Sequence, residues 1–412
     1  MFRQGRPFFL RNGISVLFLL VAAILMASPA AAFDFDVKGT DVSVGGYLKL
    51  MMIYDTGGRV DTGPFDGDLV GGYDPPLDGT PNDDKQDFRM TARESRLFVK
   101  TKTKTDLGVL KTHFEGDFYG GSDVDSETWS SSTSYRLRHA YGSLDMGNYE
   151  VTAGQTWSTF MDLAAGVPDM DVAGDPGFTF VRQPMVKFQY NLRPGHYLAV
   201  AIENPDRGLT AAGPVAFFSN PGNSEEKLPD FVLKHFYATK AMTFSARGVF
   251  RQFDLTDTAT GKGDSAMAWG LGVSGSYKTG PVRFMGTFMY GDGLGRYGGL
   301  GNIGGAGLTA ANEVETVGFM SANAGITLAL SDKVNWTIGA GWAENDDDAY
   351  KGSKAVLTAS ATKTAIGYHT NVKWEVTPGL EWAIGAGLYH REVMDGREGE
   401  MLRFQSYFQY TF

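Results

Sequence analysis

The chain lacks cysteine, and beyond its N-terminus it lacks any long apolar run. With 0 Cys, disulfides and thiolate metal sites are both excluded. After residues 14–26, no segment reaches the roughly 18 consecutive apolar residues that a membrane-spanning helix needs. The balance of 37 basic and 47 acidic residues also argues against nucleic acid as a partner. The mature chain therefore crosses a membrane as strands, or it does not cross one.

Residues 1–32 have the three parts of a secretory signal peptide. The positive start, the apolar run and the small-residue cleavage site are Arg3, Arg6 and Arg11, then Ile14–Met26, then Ala30–Ala32. A permanent anchor is the alternative, but the run is short and has no basic stop after it. Cleavage removes three Arg and no acid, so 37 basic residues become 34 against 47 acidic ones, a net charge of −13. We therefore predict an exported protein that begins near Phe33.

The last ten residues alternate aromatic and polar side chains. One face of this strand carries Phe404, Phe408, Tyr410 and Phe412, and the other carries Arg403, Gln405, Gln409 and Thr411. Because strand side chains alternate, this pattern predicts lipid on one side and water on the other. The alternative is an edge strand of a soluble secreted β-protein. We expect Phe408, Tyr410 and Phe412 to form the assembly signal that the barrel-insertion machinery of the outer membrane recognises.

Similar alternating segments recur along the whole mature chain, separated by clusters of Gly, Asp, Asn and Pro. The segment from Val282 to Tyr290 and the segment from Val334 to Trp342 show the division most clearly. About 16 such segments fit, and their connections alternate between tight turns and long loops. We predict an all-β protein, a transmembrane antiparallel β-barrel of about 16 strands, with short periplasmic turns and long extracellular loops. Residues 33–412 would form this single porin domain.

Charged side chains on the inward parity of these strands are the predicted pore lining, since a porin acts through pore radius and wall charge. They are Lys49, Arg96, Lys100, Lys111, Glu115, Arg136, Arg138, Arg247, Arg251, Arg283, Lys373 and Arg391. Two interpretations stay open. A basic wall would concentrate small anions, whereas cations that pair with wall carboxylates would only brace the barrel.

The segment at 157–180 is the best candidate for a loop that folds into the channel and constricts it. Its carboxylates Asp162, Asp169 and Asp171 could oppose the wall cations across the opening. The alternative is an external surface loop.

Two other functions would be compatible with a barrel. An outer-membrane lipase would need a catalytic His at the lipid interface, and His139 is the one whose parity faces lipid. A closed structural or adhesive barrel would conduct nothing. The six His residues show no metal-ligand spacing, so we expect no metal ion and no cofactor.

Several segments resemble the DcaP-like porins in order and spacing. They are Ala92–Thr101 (ARESRLFVKT), Leu110–Phe118 (LKTHFEGDF), Leu137–Gly142 (LRHAYG), Gly154–Asp162 (GQTWSTFMD) and Arg182-Gln183. The resemblance is close over residues 45–205 and general beyond them. It implies a homotrimeric barrel of 16 strands in the outer membrane of a Gram-negative bacterium, embedded in lipid and lipopolysaccharide.

The same resemblance implies passive uptake of small solutes, including negatively charged aromatic or dicarboxylic acids. The constriction of the family is lined by Arg, and the matching positions here are Arg93, Arg96, Arg136, Arg138 and Arg182. Family members often carry a periplasmic coiled coil before the barrel. Here the first strand is expected almost directly after the signal peptide, so we expect the trimer to depend on the barrel walls.

Overall fold

The computed structural model describes residues 33–58, 68, 75–120, 134–170, 175–205, 218–220, 222–299 and 304–412. The predicted signal peptide lies outside these ranges, as does Asp171. None of the helices in the described ranges is both long enough and apolar enough to cross a membrane.

Strands are the main regular structure of the described ranges. These are β1 Phe33–Val37, β2 Thr40–Thr56, β3 Asp87–Thr91, β4 Arg96–Thr105, β5 Gly108–Asp117, β6 Arg136–Asp145, β7 Tyr149–Trp157, β8 Arg182–Arg193, β9 His196–Glu203, β10 Asn223–Ser224, β11 Asp230–Ala238, β12 Met242–Thr256, β13 Gly263–Thr279, β14 Val282–Asp292, β15 Ala306–Leu308, β16 Val314–Thr316, β17 Gly318–Ala329, β18 Val334–Asn345, β19 Thr362–Thr377, β20 Leu380–Val393 and β21 Glu398–Thr411. Short 3₁₀ turns lie at Leu163–Ala165, Gly295–Gly298, Asp347–Ala349 and Gly352–Lys354.

The strands form one closed antiparallel barrel. Among the described residues, β15 and β16 pair only with each other, as a separate two-stranded sheet. Each strand of the barrel pairs with the next barrel strand, and β21 returns to pair with β2 from Tyr47↔Thr411 to Thr56↔Leu402. β3 and β4 both pair with β2 and act as one barrel strand, and β10 and β11 both pair with β12 in the same way. Counted so, the barrel has 16 strands, which confirms the predicted number. Closure satisfies the backbone hydrogen bonds that an open sheet edge would leave exposed to lipid.

A buried ion pair joins the first and last barrel strands. The guanidinium of Arg403 in β21 donates from Nε and Nη2 to the two carboxylate oxygens of Asp55 in β2, both at 2.7 Å. Arg89 donates to the same carboxylate at 3.2 Å, and Arg403 also donates to the carbonyl of Asp68 at 3.1 Å. Both Asp55 and Arg403 are fully buried. The ion pair of Asp55 and Arg403, called the seam pair here, therefore stabilises the closure of the barrel on the lumen side.

The two faces of the strands follow the predicted alternation. In β2, Leu48 is 58% exposed on the outside, whereas Met51 and Ile53 are buried on the inside. In β21, Phe404 and Phe408 face outward, and Arg403 is buried. Outward apolar side chains suit contact with hydrocarbon, and inward polar side chains surround water.

The strand β1 lies outside this count. It pairs with the start of β2, from Phe33↔Val44 to Val37↔Thr40, on the same edge as β21 but over residues that β21 does not reach. The backbone of Phe412 meets β2 at Gly46, where each N–H donates to the other's carbonyl at 2.9 and 3.0 Å. β1 thus continues the sheet beyond the end of β21. The sequence pattern did not predict β1, which begins directly after the predicted signal peptide.

Candidate functional site

Between β7 and β8, residues 158–170 and 175–181 are described; they lie in the barrel interior and are called the lumen loop here. Inward side chains from distant strands donate to its backbone carbonyls: Lys234 to Met161 at 2.6 Å, Arg247 to Phe160 at 3.0 Å, Arg283 to Ala164 at 2.6 Å and Asn371 to Pro168 at 2.9 Å. The side chain of Asp162 caps the 3₁₀ turn by accepting from the N–H of Ala164 at 3.2 Å. The loop is therefore fastened to β11, β12, β14 and β19.

Glycines leave the barrel wall beneath the lumen loop without side chains. A Cβ on Gly341 would lie 2.5 Å from Cβ of Asp175, and one on Gly385 would lie 2.8 Å from Sδ of Met170. Real Cβ atoms do not approach so closely. The glycine wall, defined by these close approaches, is Gly325, Gly339, Gly341, Gly367 and Gly385. Because these residues have no side chain, the loop lies directly on the sheet of β17–β20.

On the opposite wall, arginines pair with carboxylates of a neighbouring strand. Arg138 donates to Glu115 and to Asp117, each at 2.8 Å, and is almost fully buried. Arg136 grips Asp117 through two bonds of 2.9 and 2.7 Å. Arg96 lies 3.6 Å from Glu115. These charge-assisted bonds neutralise the arginines while they brace β4, β5 and β6.

Four more of the predicted pore cations have carboxylate partners. Lys49 bonds Glu94 at 2.5 Å, Arg251 bonds Asp230 at 3.1 Å, Lys111 bonds Asp145 at 3.0 Å and Arg93 lies 3.7 Å from Asp68. Sequence reasoning did not identify Glu94 as a partner. Glu94 lies in the short break between β3 and β4, where the alternation of side chains does not apply. The direction of its side chain could therefore not be predicted from the sequence.

The structure corrects the predicted orientation of His139. The pairing of β5 with β6 shifts register so that Glu115 pairs with His139 and Gly116 pairs with Leu137. This bulge adds Arg138 as an extra residue and turns His139 inward. His139 is buried, bonds Thr156 at 3.0 Å and stacks on His113 with ring centroids 5.1 Å apart. It does not face lipid, so the prediction from parity was wrong.

Arg182, at the start of β8, lies on aromatic rings. Its guanidinium carbon is 4.2 Å from the ring centre of Trp157 and 5.5 Å from that of Phe180. The Nη1 atom is buried and has no acceptor in the described part of the chain. These ring faces beside the lumen loop attract the guanidinium of Arg182 without neutralising it.

A second group of predicted cations binds neutral groups. Lys373 donates to the carbonyl of Asp169 at 3.2 Å, and Arg391 donates to Thr362 Oγ1 at 3.1 Å and to the carbonyl of Ser360 at 3.2 Å. Arg247 and Arg283 bind the loop carbonyls given above. A neutral carbonyl does not cancel the charge of its donor. Lys100 is exposed, with Nζ 4.3 Å from the ring centre of Phe98.

A cavity of 470 Å³ at the short-turn end of the barrel collects such cations. Its charged lining consists of Lys240, Lys278, Arg283 and Lys373, and its described lining residues include no carboxylate. We call it the basic vestibule. Sequence reasoning missed Lys240 and Lys278 because one lies in a turn and the other at a strand end. The signal that could have found Lys278 is its position directly across from Arg283.

The described loop carboxylates contact side chains of the barrel wall. Asp162 accepts from the hydroxyl of Ser274 in β13. Asp169 and Asp175 both approach His369 of β19. Burial raises the pKa of Asp169, and the nearby imidazole of His369 opposes that shift. The predicted arrangement of loop acids opposite wall cations stays a proposal, and Asp171 lies outside the described residues.

Sixteen antiparallel strands closed around a charged interior, with a loop fastened across that interior, define an outer-membrane channel of the porin type. The chain belongs to the DcaP outer membrane protein family, whose model matches residues 54–403. Among curated proteins, none matches the chain.

Solved structures of outer-membrane channels share this fold. The outer membrane channel DcaP of Acinetobacter baumannii is similar with 22% identity, 93% of this chain and 100% of that chain covered, and a TM-score of 0.74. OmpT of Vibrio cholerae follows with 11% identity, 92% and 100% coverage and a TM-score of 0.55. An anion-selective porin from Comamonas acidovorans has 9% identity, 90% and 100% coverage and a TM-score of 0.55. At these identities, the likeness concerns the fold.

Proposed function

We propose that this protein is a passive diffusion channel for small hydrophilic solutes and that it favours anions, such as aromatic or dicarboxylic acids. The observation that carries this proposal is the basic vestibule, where four cations line 470 Å³ with no carboxylate among the described lining residues. A solute that passes the barrel meets this positive field at the short-turn end. Low-dielectric walls focus such a field and raise the local concentration of anions.

The arrangement of Lys278 and Arg283 supports the same function. They lie directly opposite each other on β13 and β14. Like charges directly opposite each other on paired strands destabilise a sheet. This pair therefore lowers the stability of the barrel unless an anion binds between the two charges. Arg283 is held by the carbonyl of Ala164 and the hydroxyl of Ser276, at 2.6 and 3.3 Å. Neither partner removes its charge.

The two groups of cations thus have different roles in the proposed mechanism. The paired arginines of β4–β6 hold the barrel, and the cations bound to carbonyls or rings set the selectivity. The lumen loop is the proposed constriction, since it occupies the interior and is fixed at both ends of its described part. Both interpretations that the sequence left open then apply, each to a different part of the wall.

The decisive experiment measures the reversal potential of purified protein in planar bilayers across a KCl gradient. We expect an anion-selective potential in the wild type and a fall in the Cl⁻/K⁺ permeability ratio in the double variant Lys278→Gln, Arg283→Gln. At about 8 Å, each lost charge acts on a monovalent ion with about 0.5 kcal/mol in water before salt screening. The ratio should therefore fall by about twofold to fivefold.

The matched control is the double variant Lys351→Gln, Lys354→Gln, which removes the same charge from exposed loop residues that pair with Asp347 and Glu315. It should leave the reversal potential unchanged. A cation-selective wild type, or equal shifts in both double variants, would contradict anion preference through the vestibule. An absence of any conductance would instead favour the closed structural barrel.

We further propose a homotrimer that is embedded among phospholipid and lipopolysaccharide and inserted by the barrel-assembly machinery. A trimer form of Vibrio cholerae OmpT, similar to this chain with 11% identity, 91% and 100% coverage and a TM-score of 0.54, supports the assembly state. Light scattering of the detergent complex with subtraction of bound detergent tests it. A mass of one or two chains would contradict it.

A further inference from the structure

Three side chains with metal-binding chemistry meet where the lumen loop lies against β19. Nδ1 of His369 is 2.7 Å from Oδ2 of Asp175 and 3.8 Å from Oδ2 of Asp169. One ligand atom from each residue lies within 4.8 Å of the other two. The side chains of His369, Asp169 and Asp175 are 2%, 6% and 0% exposed. Spacing along the chain could not reveal this cluster, because two of its members come from the loop and the third lies almost 200 residues later.

Orphaned polar atoms surround the cluster. Oδ1 of Asp175 and Oδ1 of Asn323 are buried and have no hydrogen-bond partner in the described part of the chain. The Nδ2 of Asn323 is 3.5 Å from Oδ2 of Asp175, so these atoms belong to one neighbourhood. A buried acceptor left without a partner costs about 1–3 kcal/mol. Such groups in a native protein call for a bound ion or water.

The orientation of His369 suits a metal ligand. Its second nitrogen, Nε2, lies 3.3 Å from the carbonyl of Pro168. A ligating histidine typically donates its other ring N–H to a backbone carbonyl, which fixes the tautomer and aims the free nitrogen at the metal. Here the nitrogen so aimed is Nδ1, and it faces both carboxylates.

Charge balance favours a divalent cation in this place. Two buried carboxylates beside one imidazole carry a net charge of −1 even if the imidazole is protonated, and buried charge is costly unless compensated. Lys373 donates to the backbone carbonyl of Asp169, whose Oδ1 accepts from the N–H of Met170 at 2.6 Å and whose Oδ2 faces His369. With a neutral His369, one divalent ion would bring the cluster to zero.

We propose that Asp169, Asp175 and His369 bind one divalent transition-metal ion, with Zn²⁺ as the probe. One imidazole nitrogen and two carboxylate oxygens match the ligands of Zn²⁺, whereas Ca²⁺ takes six to eight oxygens. Two ligand atoms on one tetrahedral Zn²⁺ lie about 3.3 Å apart, so Asp175 moves outward by about 0.6 Å from its ion-pair distance. The ion would cross-link the lumen loop to the barrel wall.

Equilibrium dialysis of the full-length protein in detergent, stripped with a chelator and then exposed to Zn²⁺, tests the site. Metal analysis should find one Zn²⁺ per chain, and an equal concentration of Ca²⁺ should not displace it. His369→Gln and Asp175→Asn should weaken binding by about 100-fold or more, since even a lost outer-shell partner costs 10- to 100-fold. The matched control His390→Gln, at a histidine outside the cluster, should bind like the wild type.

Two results would overturn the proposal. One is a wild type without saturable Zn²⁺ binding. The other is binding that survives His369→Gln and is lost in His196→Gln, which would assign the ion to the pair formed by His196 and His235, whose Nε2 atoms lie 2.9 Å apart. Heat-modified gel mobility verifies that each variant is a folded barrel. Asp175→Asn keeps the side-chain shape, so loss of binding in a folded Asp175→Asn protein reports the ligand itself.

Discussion

The seam pair between Asp55 and Arg403 makes a quantitative test of barrel closure possible. In Asp55→Asn, the guanidinium of Arg403 loses its two carboxylate bonds of 2.7 Å at a fully buried position. Removal of one partner from a buried ion pair costs about 3–5 kcal/mol. The carbonyl of Asp68 still accepts from Arg403, so we take the lower end and expect about 3 kcal/mol. This is a factor of roughly 100 in the unfolding equilibrium.

Urea titration of the protein folded in lipid vesicles measures this loss through tryptophan fluorescence. The control is Asp347→Asn, which removes the same charge from an exposed pair with Lys351. Exposed pairs contribute about 0–1 kcal/mol, so the control should unfold near the wild-type midpoint. A third variant, Asp55→Leu with Arg403→Met, removes both charges and should recover stability relative to Asp55→Asn, because no buried charge is left without its partner.

The reasoning would be refuted if Asp55→Asn unfolded within about 1 kcal/mol of the wild type, a loss no larger than that of an exposed pair. It would also fail if the double variant were no more stable than Asp55→Asn. In that case the cost would come from packing and the charge would be irrelevant.

Three further predictions concern the lumen loop and assembly. Gly341→Ala places a Cβ 2.5 Å from that of Asp175 and should lower the free energy of unfolding by about 1–3 kcal/mol through overpacking. The control Gly286→Ala, whose Cβ would have its nearest atom at 3.5 Å, should unfold at the wild-type midpoint in the same urea titration. Equal midpoints for the two variants would contradict the glycine wall. In this cysteine-free chain, Val167→Cys with Gly325→Cys should form a disulfide under mild oxidant, because Cγ2 of Val167 lies 2.9 Å from the Cβ position of Gly325. That Cβ also lies 2.9 Å from the carbonyl oxygen of Ile338, so the wall shifts slightly in the variant in both redox states. Single-channel conductance should be equal before and after reduction, and a large rise on reduction would show that the loop normally lies elsewhere. Phe412→Ser should lower the amount of protein in the outer membrane several-fold yet leave refolding in vitro unchanged, since the backbone pairing with Gly46 remains; normal membrane levels on immunoblots would exclude Phe412 from the assembly signal.

The period of two along each strand made much of the fold predictable. It separates Leu48 from Lys49 and Phe404 from Arg403 without any tertiary information, and the structure confirms these faces. The same rule failed at His139, because a single extra residue at the bulge reverses every later side chain of that strand. The strand β1 also shows the period of two, with Phe33, Phe35 and Val37 on one face and Asp34 and Asp36 on the other. It was not predicted because it directly follows the signal peptide.

The candidate site was less predictable for a physical reason. The position of a residue in the alternating pattern predicts that its side chain faces the lumen. Whether its charge acts on a solute depends on the partner that the side chain meets in the folded protein. Arg138 and Arg283 look alike in the sequence, yet one meets two carboxylates and the other a carbonyl and a hydroxyl. Contacts such as that between Ala164 and Arg283, 119 residues apart, depend on how the loop folds back, and no local pattern encodes that path.

The strand β1 has a consequence for the geometry of closure. It occupies the edge of β2 at Thr40–Val44, immediately beyond the point where Phe412 meets Gly46. A slip of β21 along β2 toward β1 by one residue would turn every side chain of β21 to the opposite face, and β1 leaves only Gly45 between itself and Phe412 on that edge. The stagger between the first and last strands determines the tilt of all strands and hence the width of a barrel. A five-residue strand can thus serve as a mechanical stop that sets the diameter of the whole cylinder.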